Sequence, residues 1–341
     1  MLVEIKSDVF ENEEFRDGLN HLLGIAFYKG RYNIFIELAS ILEMPYYQTI
    51  SEGNRMVLEA MFNKVINEGL QPQLVISSED NETYFTIDEA VRVLERPVII
   101  ILENSLNDSH FVKAIMRCFN GEVVLEHKRN GWVEFTNAGG VNNIINLLRG
   151  ILQNFRALPK NNHTYLRAFI LMDSDRKYSS MPLGNGKQNT IRFLDDNNIP
   201  YHILEKREME NYLPDEVIDT IPNYRDFIDA YLRLSPIQKD YFDLENGLPN
   251  RKFVDLFQEL QDLYNDLDET DKRTFRNDNL VGFPNGNSNF KSEFLRLFNH
   301  RFVTKETLQR RCEHHYTNNE NNHPYNPDEL PNLVQKIADL L

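Results

Sequence analysis

Two apolar runs decide the fold of this chain, PVIIILE at residues 97–103 and AFILMDSD at residues 168–175. Aliphatic runs of this length, bounded by polar residues that favour turns, are typical of strands buried in a parallel sheet. A parallel sheet of this kind has helices on both faces, because its strands are joined by helical crossovers. The two runs therefore predict an α/β fold.

Each run ends on carboxylates, which are Glu103 after the first and Asp173 and Asp175 after the second. The carboxyl ends of parallel strands meet at one edge of the sheet, and the cleft of an α/β protein lies beyond that edge. Side chains alternate along a strand, so we expect Asp173 and Asp175 to point the same way and Ser174 to point away. Grouped carboxylates repel one another and need a cation, and oxygen-only ligands suit Mg²⁺ or Mn²⁺.

The pattern around these runs predicts three regions. Residues 1–95 are expected to be mainly helical, with helices at 15–26, 32–42, 54–66 and 86–94 and a strand at 73–77. Residues 96–214 alternate between the two element types, with strands at 98–103, 122–126, 132–136, 166–173 and 200–205 and helices at 108–119, 140–155 and 187–197. Residues 215–341 are expected to be helical, with apolar spacing at 217–221, 224–234, 253–263, 290–298 and 333–341.

The composition is that of an ordinary soluble protein of 341 residues with 41% hydrophobic residues. No apolar run approaches the roughly 20 residues that span a bilayer, and no leader pattern opens the chain, so we expect no membrane contact and a cytoplasmic location. The net charge of -15 argues against strong unaided binding of nucleic acid. Residues 110–192, however, carry twelve Lys and Arg against five Asp and Glu. This locally basic segment either holds phosphates or forms solvated helix faces.

The quoted residues resemble the Toprim domain, the catalytic module shared by topoisomerases, bacterial primases and nucleases of the overcoming-lysogenization-defect (OLD) family. The resemblance covers about residues 97–214, and four motifs occur in order. Glu103 at the end of a strand precedes Asp108 near the start of a helix, and the glycine turn 139–140 follows the next strand. The Asp-x-Asp motif is 173–175, and LEKREMENYLP at 204–214 is similar to the acidic stretch that closes many OLD-like domains.

The resemblance implies a mostly parallel Toprim-like sheet and a metal-dependent nuclease. One or two Mg²⁺ or Mn²⁺ ions would be held by Glu103, Asp108, Asp173, Asp175, Glu208 and Glu210. For Glu208 and Glu210 the alternative is a solvated charged face. Lys291 is the candidate for the late lysine that OLD-type nucleases use near the active site. Arg176 and Lys177 either contact the scissile phosphate or are surface charges on a loop.

This chain departs from the family in two ways. Asn104 follows Glu103, where many members have glycine, and no Gly-x-x-x-x-Gly-Lys-Ser/Thr loop of an ATPase occurs. The chain therefore resembles stand-alone Toprim proteins that act in bacterial antiphage systems beside a separately encoded ATPase subunit. Its expected partners are DNA or RNA and that ATPase, with a homo-oligomer also open.

Two other interpretations of the sequence are weighed against the nuclease. One is a non-catalytic Toprim-like regulatory or binding subunit, whose carboxylates are structural and whose helical flanks dock a partner. The other is a zinc site at Cys312, His314, His315 and His323, which lacks the paired spacing of structural zinc sites. Cys118 and Cys312 are too few and too far apart for a disulfide framework.

Overall fold

The computed structural model describes residues 1–69, 71–79, 82–248, 255–277, 290–313 and 326–341. It is an α/β protein with two parallel sheets that are flanked by helices. The α/β class predicted from the two apolar runs is therefore confirmed. No helix of the described ranges has both the length and the apolar character needed to cross a membrane.

The first sheet lies in the N-terminal region and has the order β2-β1-β3. Its strands are β1 (Leu2–Ile5), β2 (Asn33–Phe35) and β3 (Leu74–Ile76). The helices of this region are α1 (Arg16–Lys29), α2 (Leu38–Ile41), α3 (Pro45–Thr49), α4 (Glu52–Glu68) and α5 (Ile87–Glu95). Helix α5 begins as predicted, because the Thr86 side chain caps it and Glu89 completes a capping box.

The second sheet has the order β5-β4-β6-β7, with all strands parallel. Its strands are β4 (Val98–Leu102), β5 (Val133–Asn137), β6 (Ala168–Met172) and β7 (Tyr201–Ile203). The helices between them are α6 (Ser105–Cys118), α7 (Glu122–Arg129), α8 (Val141–Gln153) and α9 (Asn185–Asp196). The two apolar runs are thus the two central strands, β4 and β6, which pair directly with each other.

The C-terminal region is helical in its described parts, and its helices cover one face of the second sheet. They are α10 (Asp215–Ile218), α11 (Arg225–Arg233), α12 (Pro236–Tyr241), α13 (Gln258–Leu263), α14 (Glu269–Asn277), α15 (Phe290–Arg296), α16 (Lys305–Cys312) and α17 (Glu329–Ala338). Cys118 and Cys312 form no disulfide.

Two of the predicted elements are wrong. The strand expected at 122–126 is helix α7, in which Glu122 lies in the first turn and His127, Lys128 and Arg129 lie in the last. The charges of Glu122, Lys128 and Arg129 complement the helix dipole and outweigh the strand preference of the two valines. Of the helix expected at 32–42, only α2 at its end is helical, and its start is strand β2, because Ile34 pairs with Val3 of β1 and becomes part of the core.

Candidate metal centre

Glu103 and Asp173 lie side by side at the carboxyl edge of the second sheet. Glu103 directly follows β4 and Asp173 directly follows β6, and the two strands pair through Leu102 and Leu171. The backbone amide of Asp173 donates a hydrogen bond of 3.2 Å to Oε1 of Glu103. Two central strands of the sheet therefore position these two carboxylates, as the sequence predicted.

Asp108 joins this edge from the first turn of α6. Its side chain is buried, and its Oδ2 atom accepts a hydrogen bond of 2.8 Å from the backbone amide of Asn104. This bond fixes the carboxylate at the start of the helix, where the helix dipole favours a negative charge. The spacing between Glu103 and Asp108 thus brings a strand end and a helix start together.

The acidic stretch after β7 is fastened to the Asp-x-Asp turn by backbone hydrogen bonds. The amides of Ser174 and Asp175 both donate to the carbonyl oxygen of Arg207, at 3.0 and 2.9 Å. The amide of Met209 donates to Oδ1 of Asp173 at 3.1 Å. These bonds hold the stretch that contains Glu208 and Glu210 against the sheet edge.

The interpretation of Glu208 and Glu210 as a solvated charged face is wrong. Glu210 is only 2% exposed, and the side chain of Glu208 is 14% exposed. Neighbouring Lys206 is buried with its Nζ atom 2.5 Å from Asp240 Oδ1. Glu210 is thus buried and Glu208 largely so, in the segment that is hydrogen-bonded to Asp173.

The charges of this cluster act strongly on Asp173. Burial, and then the negative charges of Glu103, Glu210, Glu208 and Asp108, raise the pKa of Asp173 well above its ordinary range. Each of these negative charges favours the protonated form of Asp173, because like charges repel. A cation bound among them would reverse this effect.

Lys187 provides a positive charge at the same edge, and nothing in the sequence analysis assigned it this place. It lies in the first turn of α9 and is 3% exposed. Its Nζ atom is 2.6 Å from Oδ2 of Asp175, 2.6 Å from the carbonyl oxygen of Asp173 and 3.2 Å from Oε1 of Glu103. Burial works to lower the pKa of Lys187, but the charges of Glu103 and Asp175 raise it above its usual value.

Asp175 and Asp173 do not share an environment, contrary to their expected alternation along one strand. Strand β6 ends at Met172, and Asp175 adopts a left-handed conformation with φ of 56°. Asp173 is therefore half-buried among the other carboxylates, whereas the Asp175 side chain is 58% exposed and paired with Lys187. Aspartate is among the residues that adopt this conformation most readily.

The glycine turn lies against Glu103. Gly139 and Gly140 have φ of 70° and 103°, which only glycine adopts at low cost. The amide of Gly140 donates a hydrogen bond of 3.1 Å to the carbonyl oxygen of Glu103. The turn is thus part of the sheet edge that carries the carboxylates, rather than an isolated loop.

Other residues that the sequence suggested are Lys291, the histidines of the zinc alternative and Arg176. Lys291 lies in α15, but its side chain is outside the described residues. His314, His315 and His323 of the zinc alternative are outside them as well. The Nε atom of Arg176 is buried and has no hydrogen-bond partner among the described residues.

The donor set fits Mg²⁺ or Mn²⁺ in its chemistry, because all of its side-chain ligands are carboxylates. Within the described ranges, however, no three His, Cys, Asp or Glu side chains are arranged around a common metal position as they stand. The carboxylates instead accept hydrogen bonds from backbone amides and from Lys187. A divalent ion would have to draw them closer together.

A groove of about 590 Å³ lies beside the loop that follows the Asp-x-Asp turn. It is lined by Tyr178, Ser179 and Ser180 of the loop and by acidic residues of the C-terminal region, namely Glu259, Asp262 and Asp266. None of the six candidate carboxylates lines it. The groove is therefore separate from the candidate metal centre.

Comparisons with protein-family models, with curated proteins and with solved structures find no match to this chain.

Proposed function

We propose that this chain is a Toprim-type, divalent-metal-dependent nuclease that hydrolyses phosphodiester bonds in DNA or RNA. The observation that carries the proposal is the gathering of five carboxylates at the carboxyl edge of a parallel sheet, namely Glu103, Asp108, Asp173, Glu208 and Glu210. These residues come from three separate segments of the chain, at 103–108, at 173 and at 208–210. Such a costly concentration of negative charge needs a cation, and divalent cations serve phosphodiester chemistry.

Hydrogen bonds within the chain hold the carboxylates of this sheet edge in place without a bound ion. Backbone amides fix Glu103, Asp108 and Asp173, and the turn at 173–175 is fastened to the segment that carries Glu208 and Glu210. Mg²⁺ or Mn²⁺ bound by these carboxylates would activate water and stabilise the oxygen that leaves the phosphodiester. In the same proposal, the guanidinium of Arg176 contacts the phosphate, since Arg176 directly follows the Asp-x-Asp motif.

A second candidate function is a non-catalytic regulatory or binding subunit. Lys187 favours it, because this buried ammonium already supplies a positive charge to Glu103 and Asp175. A carboxylate cluster whose negative charge is partly neutralised by a lysine of the same chain has less need of a metal ion. In either role, we propose that the chain works beside a separately encoded ATPase, as an antiphage effector in the catalytic case.

Cleavage of plasmid DNA and of total tRNA by the purified chain, with Mg²⁺ or Mn²⁺, tests the catalytic proposal. We expect cutting that EDTA abolishes. Glu103→Gln and Asp173→Asn should each lower the rate by at least ~100-fold, because each removes one charged ligand while keeping hydrogen-bonding atoms in place. The nucleic acid that is cut would name the substrate class.

Glu134→Gln is the matched control, because Glu134 is an exposed glutamate on β5 of the same sheet, outside the carboxylate cluster. It should cut at the rate of the unmodified chain. If neither nucleic acid is cut, even with a candidate partner ATPase present, the binding-subunit function replaces the nuclease. Cutting that survives in Glu103→Gln and Asp173→Asn would place the active site elsewhere.

A further inference from the structure

The ammonium group of Lys187 is surrounded by oxygen atoms of the protein. Its Nζ atom lies within 3.2 Å of three oxygen atoms, which are Oδ2 of Asp175, the carbonyl oxygen of Asp173 and Oε1 of Glu103. An ammonium group has three donors, which matches this number of acceptors. The Lys187 side chain is 3% exposed and so is largely removed from water, while its partner Asp175 is 58% exposed.

Burial of the Lys187 ammonium group at this position costs free energy, and only the neighbouring carboxylates offset that cost. A buried ammonium loses its hydration, and the first turn of α9 places it at the positive end of a helix dipole. Only the acidic groups around it offset these two costs. Because removing one partner of a buried charge pair is strongly unfavourable, we expect the lysine to stay in place when other ligands bind.

The carboxylates divide around this lysine into two groups. One group is Asp175, which is paired with Lys187; the other is Asp173, whose Oδ1 atom accepts from the amide of Met209 in the segment that carries Glu208 and Glu210. Glu103 belongs to both groups, since its Oε1 atom accepts from Lys187 and from the amide of Asp173. One part of this edge, the pair Glu103 and Asp175, thus already receives its positive charge from the chain itself.

We propose that the centre takes a single divalent cation on the Asp173 side and that the Lys187 ammonium serves as its second cation. This inference rests on the proposed function. Under it, Asp175 is a positioning residue for Lys187 and not a metal ligand. The ammonium neutralises the charge of Glu103 and Asp175 at the edge of the site.

The number of Mn²⁺ ions bound per chain tests the proposal without any measurement of activity. Free Mn²⁺ is followed by electron paramagnetic resonance as the full-length chain is titrated. We expect one ion per unmodified chain and two per Lys187→Met chain, because the variant leaves Asp175 and Glu103 without their cation. The double variant Asp175→Asn with Lys187→Met should bind one ion again, since the second position then lacks its carboxylate.

Lys177→Met is the control, because it removes a lysine two residues after Asp175. This variant should bind one ion. Two ions on the unmodified chain would overturn the inference and leave the proposed nuclease standing. One ion on both the unmodified and the Lys187→Met chain would also overturn it. No ion on the unmodified chain would remove the metal-dependent function itself.

A second measurement covers the case in which Lys187→Met does not fold well. In EDTA the variant should melt at least about 5 °C below the unmodified chain, and 1 mM Mn²⁺ should restore most of the loss. The double variant, which removes one charge of each sign, should lose less. A loss that Mn²⁺ does not restore contradicts the proposal, because the lysine would then not occupy a cation position.

Discussion

At the scale of single residues, a carboxylate from the last helix holds the segment that follows β7. Glu329 is 2% exposed and accepts hydrogen bonds of 2.9 Å from the amide of Glu205 and of 2.6 Å from the hydroxyl of Tyr212. Its Oε1 atom is also 2.9 Å from Nε2 of His202. Because this segment carries two glutamates of the candidate metal centre, Glu329 of α17 helps to position them.

Glu205 should make the stability of the protein depend on pH. Burial, together with the charge of Glu329, raises the pKa of Glu205 from 4.5 to about 7. Between these values the folded state holds the proton more tightly than the unfolded state, so stability is lost as pH rises from about 4.5 to about 7. We expect Glu205→Gln to change stability little at pH 5 and to raise it by about 1 kcal/mol at pH 8, allowing for solvent screening.

Urea unfolding at the two pH values measures this difference. Glutamine keeps the oxygen that accepts a 2.9 Å hydrogen bond from the side chain of Asn326, so the substitution removes the charge alone. The control Glu134→Gln, at an exposed position, should change the free energy of unfolding little at either pH. An equal gain for Glu205→Gln at pH 5 and pH 8 would contradict the assigned pKa.

At the scale of elements, a close approach of two backbones joins the turn after α12 to helix α14. Gly247 has φ of 65°, and a Cβ atom there would overlap the carbonyl oxygen of Phe275. That oxygen accepts a hydrogen bond of 3.0 Å from the amide of Leu248. The C-terminal helices are therefore packed around a position that only glycine suits.

Gly247→Ala should lower the free energy of unfolding by about 3 kcal/mol, because both the backbone conformation and the packing become strained. Gly150→Ala is the matched control, since Gly150 is exposed in α8 and has open space at its Cβ position. The control should raise stability by about 0.5–1 kcal/mol, as alanine does in a helix. Thermal unfolding compares the two, and similar effects would argue against the close approach.

At the scale of the whole molecule, the second sheet is covered from two sides by different parts of the chain. One face, with Ile100, Leu102, Phe169 and Leu171, packs with α6 and with the C-terminal helices in a single core. The opposite face packs against α8 and α9. A third core lies in the N-terminal region and includes Phe155 and Tyr165 of the middle region. The three regions predicted from the sequence thus share their cores.

The fragment 96–214 tests how far the predicted boundaries mark an independent domain. We expect it to lack fixed tertiary packing, because the face that the C-terminal helices cover would be exposed to water. The expected signs are a weak near-ultraviolet circular dichroism spectrum and binding of the dye ANS. The fragment 96–341 should be better ordered, since it keeps that cover. A well-ordered 96–214 fragment would show that the boundary at 214 is real.

The sequence by itself determined the central strands and the carboxylates at their ends. Strands β4 and β6 are apolar throughout, because both of their faces are buried, and this pattern is readable without the fold. Strands β1 and β2 were missed because they are only four and three residues long and contain polar residues. The apolar pattern likewise predicted a strand where α7 forms, because such a pattern takes no account of the charges at the two ends of a helix.

Only the tertiary structure decided which side chains complete the candidate metal centre. Lys187 is 84 residues from Glu103 in the chain, and Glu329 is 124 residues from Glu205. Contacts at such separations depend on how α9 and α17 pack against the sheet, which no local pattern contains. The same packing separated Asp175 from Asp173, because the chain turns directly after β6. The sequence thus located the acidic edge, and the packing of distant helices set its balance of charge.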